Sequence, residues 1–251
     1  MIQACLIMDY EKPQKGNPHQ LTINQHCFPV RSISRFTKDN GCVDVYLISQ
    51  NKTVQFKPRN KIFCVKRIWH QSTETGTMKR IEDVYQELAE DVIKDKITTL
   101  KPDHQGIITD MYLLWFFRCY YANQKNDDLE LNNIAPPNYT KDEEELLEKN
   151  NVHTCPGGII KARSCVGLTI QFLFDSFNKD LISEWEIFKT FDGELLVPDK
   201  PTKLQFLPLT PNKCFLSLNE VHGLKSHKIN KISVQYSSNY YFARDLSRCP
   251  K

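Results

Sequence analysis

Apolar and polar positions change period several times along the chain, and each change marks an element. From Cys42 onward, NGCVDVYLIS (40–49) alternates apolar and polar residues, which is the signature of a strand. A short QNK turn separates it from TVQFKP (53–58), predicting a hairpin, and KIFCVKR (61–67) is a third short apolar run. The period then lengthens. Met78, Ile81, Tyr85, Leu88 and Val92 recur every three or four residues, one face of a helix over about 78–95. IITDMYLLWFFRCYYA (107–122) is apolar nearly all round and predicts a central buried helix. Arg118 lies inside it. A guanidinium there needs a carboxylate or carbonyl partner, so Arg118 is read as an internal ion pair, with an anion-binding arginine facing a cleft as the alternative.

NQKNDDLELNNIAPPNY (123–139) is polar, ends in a double proline, and predicts an exposed connection and a possible internal division. TKDEEELLEKN follows, with Thr140 and Glu143 spaced as a capping box, so its acidic run reads as a solvated helix start. PGG (156–158) is a turn without the G-K-[ST] of a phosphate loop. A helix over about 162–178 carries Cys165, Leu168 and Phe172 as its apolar positions. WEIFKTF and ELLVP (185–198) flank Asp192-Gly193 and predict a hairpin. LQFLPLT (204–210) and CFLSL (214–218) predict further strands, and 226–245 a last helix followed by an extended aromatic end. The order predicts an α+β fold: mixed, mainly antiparallel strands and hairpins packed with four or five helices in a single compact domain over 1–251.

Composition narrows the class. The chain has 251 residues, 40% hydrophobic and 25% charged, as in an ordinary globular protein. A net charge of +3 does not suggest a polybasic nucleic-acid coater and does not forbid a local basic patch. No apolar run approaches the roughly 20 residues needed to span a bilayer, and MIQACLIMDYEKPQK lacks the basic start of a secretory signal, so the expected location is the cytoplasm. The nine cysteines form no C-x-x-C pair and read as free thiols. His153, Cys155 and Cys165 are too loosely spaced for structural zinc, and no metal or other cofactor is expected.

Three groups of residues could carry function. His26 precedes Pro29 in NQHCFPVRSISRF; it reads as a histidine fixing the chain at a helix start, with a site role as the alternative. With Glu74, Glu82 and Asp199 from separate segments it could make a metal-dependent hydrolase site, although no spacing demands one, and Asp199-Lys-Pro serves equally as a turn. For nucleic acid, Arg59, Lys61, Lys66, Arg67 and Trp69 in one segment, and Tyr241 and Arg244 in another, place cations beside aromatic rings. The other reading of both segments is strand alternation, with aromatics in the core.

These features together resemble a loose group of uncharacterised bacterial and prophage proteins. The shared pattern is His-x-x-Pro before a short helix ending in Phe, here His26 to Phe36, then a hairpin at CVDVYLI, a helix near Ile81-Glu82, and Asp-x-Pro at Asp199–Pro201. One departure is Pro198, where the group carries a small polar residue; it weighs against a catalytic Asp199. Within that group, length and Lys/Asn-rich composition are similar to the Tin-like superinfection-exclusion proteins of temperate coliphages. The resemblance implies an interaction protein, not an enzyme. It implies antiviral defence by a prophage: binding and poisoning the single-stranded-DNA-binding protein of a superinfecting T-even phage, with inhibition of its DNA replication. Single-stranded DNA could also be touched, and no membrane is involved. The cation–aromatic set would be the binding surface. The rival is a nuclease-type toxin built on His26, Glu74, Glu82 and Asp199.

Overall fold

The computed structural model describes residues 10–132, 137–176, 184–217 and 225–251. In chain order the elements are β1 (Asn24–His26), α1 (Val30–Ser34), β2 (Val43–Leu47), β3 (Lys52–Phe56) and β4 (Cys64–Lys66). Next, α2 (Gln71–Thr73) runs through a π-turn (Glu74–Met78) into α3 (Lys79–Ile93), followed by α4 (Pro102–Ala122). β5 (Leu129–Glu130), α5 (Lys141–Lys149), β6 (Ile159–Ile160) and α6 (Ala162–Ser176) come next. β7 (Trp185–Lys189), β8 (Val197–Pro198), β9 (Phe206–Thr210), β10 (Lys213–Ser217), α7 (Ser226–Tyr236) and β11 (Tyr240–Ala243) complete the chain. The fold is mixed α+β with small antiparallel sheets. The described residues form two compact units: 10–25, 64–80, 120–132 and 137–176 in the first, and 26–63, 81–119, 184–217 and 225–251 in the second.

In the second unit one sheet has the order β3-β2-β11-β8 and another β7-β10-β9. The β2–β3 hairpin pairs Val43 with Phe56 and Leu47 with Lys52, as the alternation predicts. β11 pairs antiparallel with β2, placing Phe242 opposite Val45. Phe242 then meets Phe36 edge-on at 5.7 Å and Phe63 at 5.5 Å, so α1 and the turn before β4 are pinned to this sheet by aromatic packing. β9 and β10 are buried along both faces except at Thr210, so they read as apolar runs instead of alternating. Their side chains join Leu195, Leu204 and Ile229 in one core cluster. Lys213 opens β10 and is buried; its ammonium donates to the carbonyls of Val92 (3.0 Å) and Ile93 (3.3 Å) and pairs with Asp95 at 2.6 Å. A cation thus satisfies the last carbonyls of α3, where the helix dipole favours it.

The hairpin predicted around Asp192-Gly193 is not formed. β7 pairs with β10, and β8 pairs with β11. The segment between them opens because Leu195 and Leu196 go to two different clusters, Leu196 lying with Tyr241, Ala243 and Cys249. Gly193 is required there by close approach: a Cβ would lie 2.4 Å from Pro250 Cδ. Asp192 instead accepts from the Thr190 hydroxyl at 2.5 Å. The hairpin in this region is β9–β10, turning at Pro211-Asn212.

α4 buries Ile108, Met111, Leu114, Trp115 and Phe117, as its all-round apolar character predicts. Arg118 is 1% exposed and forms an ion pair with Glu82 of α3, the internal pair expected for a guanidinium on this helix.

In the first unit, β1, whose first two residues belong here, pairs with β4, and β5 pairs with β6. β5 lies in the segment read as an exposed connection; residues 133–136 of that segment lie outside the described residues. α5 begins with the predicted capping box of Thr140 and Glu143. Its acidic run is not wholly solvated, however: Glu145 is 0% and Glu148 3% exposed. α6 also turns differently from its apolar spacing. Leu168 and Phe172 are exposed, and the buried face is Arg163, Ser164, Val166, Gly167 and Ile170. Small residues face inward because α6 packs closely on α2: a Cβ on Gly167 would lie 2.3 Å from Thr73 Oγ1. No described helix is long and apolar enough to cross a membrane.

Candidate functional site

The residues predicted for hydrolysis each have another task. The His26 ring Nε2 lies 3.2 Å from the Pro58 carbonyl oxygen, and burial pushes its pKa down, so the ring is a neutral link between the α1 approach and the turn after β3. Glu82 holds Arg118. Asp199 accepts from the amides of Ser238 (3.0 Å) and Asn239 (2.7 Å) and so fixes the turn between α7 and β11; burial raises its pKa against those bonds. Glu74, in the first unit, accepts the Trp69 indole N–H at 2.5 Å. Among the described residues no group of three or more His, Cys, Asp or Glu side chains is placed to hold a metal ion.

The predicted cation–aromatic surface divides as well. Arg59 and Lys61 are exposed in the second unit, and Lys66 of the first is half-buried with its ammonium 2.5 Å from Asn24 Oδ1. Trp69 is fully buried, so it offers no face to a base. Tyr241 is buried and stacked on Tyr46 at 4.9 Å, with the Lys251 ammonium 4.8 Å from its ring centre. Arg244 is held by Glu194 at 2.5 Å. Arg67 is buried and belongs to an ion-pair cluster. Stacking by Trp69 and Tyr241, and free charge on Arg67, are therefore corrected: core packing and internal pairing use these groups.

That cluster is the most concentrated chemistry in the first unit. Glu148 Oε2 accepts from Arg67 Nη2 at 2.6 Å and from Arg163 Nε at 2.9 Å, and Arg163 Nη2 pairs with it at 2.9 Å. Burial pushes the Glu148 pKa up, but Arg163 and Arg67 outweigh it and hold the carboxyl below its ordinary value. Glu11 pairs with both Arg163 and Lys141, and its carbonyl accepts from Arg67 Nη1 at 3.0 Å. Arg67 reaches this position from a left-handed backbone (φ 44°), uncommon for a residue with a Cβ, and its Nε–H is buried without a hydrogen-bond partner. Beside the cluster opens a cleft of about 270 Å³, lined by Tyr10, Glu11, Arg67, Asp128, Lys161 and Arg163 among others. Asp128 accepts from the Ala162 amide at 2.8 Å and pairs with Lys161 at 3.3 Å, so it neutralises the start of α6.

One shell away, the Ser72 hydroxyl lies 2.8 Å from His70 Nδ1 and 3.0 Å from His153 Nε2, and the two imidazoles stack at 3.9 Å. The Ser72 amide donates to His70 Nδ1 at 3.2 Å, so that nitrogen is bare and His70 caps α2 as a neutral ring. Burial pushes the His70 pKa down to about 4. A serine beside a histidine is also a nucleophile geometry. Here the Thr73 and Glu74 amides already donate to the His70 carbonyl, so they do not form an oxyanion hole.

Sequence reasoning missed Glu11, Ser72, Glu148 and Arg163 as a connected set. Arg163 carried the same signal as Arg118, a guanidinium on a helix that must be buried. Its partner, a glutamate late in a run that looked solvated, carried none. Comparison with protein-family models, with curated proteins and with solved structures gives no match.

Proposed function

We propose that this chain acts by binding, as a prophage-borne antiviral protein in the cytoplasm of its bacterial host. In this reading it engages the single-stranded-DNA-binding protein of a superinfecting phage and stops replication of the invader's DNA. The observation that carries the binding reading is the edge of the β3-β2-β11-β8 sheet at which, among the described residues, no further strand pairs. β3 lies at that edge, and Lys52, Lys57, Arg59 and Lys61 are exposed along and just beyond it. An open edge offers backbone donors and acceptors to an extended segment, and the cations favour an acidic one. The reading keeps Arg59 and Lys61 from the predicted surface and replaces the buried aromatics with strand pairing. Support also comes from the other side: His26, Glu82 and Asp199 are engaged in holding the fold.

The test is affinity capture of the tagged protein from phage-infected and uninfected cells, with and without nuclease. The expected result is a phage single-stranded-DNA-binding protein captured only after infection. Arg59→Glu with Lys61→Glu is expected to weaken capture and to flatten its salt dependence. Unchanged capture by this variant would move the interface elsewhere. Metal-dependent loss of nucleic acid, abolished by His26→Ala in a folded protein, would replace the binding reading with the nuclease one.

A further inference from the structure

The position occupied by Glu11 is a cradle of cationic donors. Arg163 Nη1 and Lys141 Nζ hold its carboxylate, and Arg67 Nη1 holds its carbonyl oxygen. The Arg67 side chain is 1% and the Arg163 side chain 8% exposed, and Glu148 fixes both guanidiniums from behind. Glu11 comes from coil, not from a helix or strand, and its side chain is 34% exposed. It can therefore leave without unravelling an element, whereas the arginines cannot move.

Beside it the cleft of about 270 Å³ adds Lys161 and an apolar wall from Ile68. With Glu11 displaced, Arg67, Lys141, Lys161 and Arg163 face Asp128 and Glu148 at the site, an excess of positive charge. Lys141 also has Glu145 at 3.9 Å and Glu144 at 4.0 Å, which temper that excess without occupying the cradle. Arg67 lines the cleft, and its buried Nε–H has no hydrogen-bond partner.

We propose that this cleft is a binding site for a phosphate monoester, and that Glu11 is its built-in occupant. The ligand phosphate takes the carboxylate's place against Arg163 and Lys141 and the Glu11 carbonyl's place against Arg67, with Lys161 as a fourth cation. Guanidinium pairs suit the planar, bidentate recognition of phosphate oxygens. A cleft of this size takes a ligand no larger than a mononucleotide. The site lies within the first unit and does not depend on the sheet edge proposed for the protein partner.

The experiment is calorimetric titration of the full chain with inorganic phosphate, dTMP and a dT8 oligonucleotide. Wild type, Glu11→Gln and Lys161→Ala are compared, with thermal melts to check folding. Glu11→Gln is expected to bind phosphate about tenfold tighter than wild type, because a competing charged contact is removed. Lys161→Ala leaves the cradle intact and is expected to weaken phosphate binding about fivefold by loss of one charged contact. A preference for dTMP over phosphate assigns a mononucleotide as the source, and equal or tighter binding of phosphate assigns the free anion; either supports the site, whereas a preference for dT8, whose linkages are diesters and which exceeds the cleft, overturns the monoester assignment. Equal affinities in wild type and folded Glu11→Gln, or no effect of Lys161→Ala, overturn the proposal. Should Glu11→Gln fail to fold, Lys161→Ala alone decides it.

Discussion

Glu148→Gln isolates the charge at the centre of the buried ion-pair cluster. All three short contacts, 2.6 Å from Arg67 and 2.9 Å twice from Arg163, converge on one carboxylate oxygen. A glutamine can place its carbonyl oxygen in that position, so the acceptor is kept and the charge is lost. Charge-assisted hydrogen bonds contribute about 1.5–3 kcal/mol each and are about twice as strong as neutral ones. Halving the two hydrogen bonds gives a loss of about 1.5–3 kcal/mol, and the third, ion-pair contact adds to it, toward the ~3–5 kcal/mol for breaking a buried pair. Glu11 still faces Arg163 in the variant, which keeps the loss in the lower part of that range.

The assay is urea unfolding followed by circular dichroism at neutral pH. With a slope of about 3 kcal/mol per M, the midpoint falls by roughly 1 M. The pH dependence gives a second reading. The Glu148 carboxyl is held below its ordinary value in the folded chain, so its stabilisation is complete above about pH 4.3, the unfolded value. It disappears as the pH falls through the lower folded value. Glu11 is depressed as well: burial raises its pKa, but Arg163 and Lys141 bring it down, so acid sensitivity in that window is shared. The informative quantity is therefore the difference between wild type and Glu148→Gln, expected to be full at pH 7 and to shrink toward zero in acid. A loss below about 1 kcal/mol at pH 7, the level of a surface pair, would refute the reasoning.

Three other changes test the packing. Gly167→Ala puts a Cβ 2.3 Å from Thr73 Oγ1 and is expected to cost about 1–3 kcal/mol, much less in a Thr73→Ala background; equal costs in both backgrounds by thermal unfolding would remove the close approach as the cause. Gly193→Ala meets Pro250 Cδ at 2.4 Å and Cγ at 2.8 Å, so a similar loss is expected in urea melts, and a neutral variant would show that the C-terminal segment shifts freely. Asp199→Ala leaves the Ser238 and Asn239 amides without their acceptor and is expected to cost about 1–3 kcal/mol, with faster hydrogen exchange at those two amides; unchanged exchange would argue against the turn-fixing role.

Local rules determined much of this protein in advance. The β2–β3 hairpin, the amphipathic face of α3, the buried α4 and the capping box of α5 follow from period and capping chemistry, which act over a few residues. The partner demanded by Arg118 could be predicted in kind, because an unpaired buried charge is too costly to keep, although nothing local named Glu82. Tertiary structure decided the rest. Asp192-Gly193 has the composition of a hairpin turn, yet β7 pairs with β10 and Gly193 serves close contact with Pro250. Leu168 and Phe172 have helical apolar spacing, yet the small residues of α6 face inward because backbone approach at Gly167 outweighs burial of two large side chains. The Arg67–Glu148–Arg163 cluster joins residues 81 and 15 positions apart, with Glu11 a further 152 from Arg163. Charge attraction at such separations leaves no periodic trace, and only the folded chain brings these groups within bonding distance.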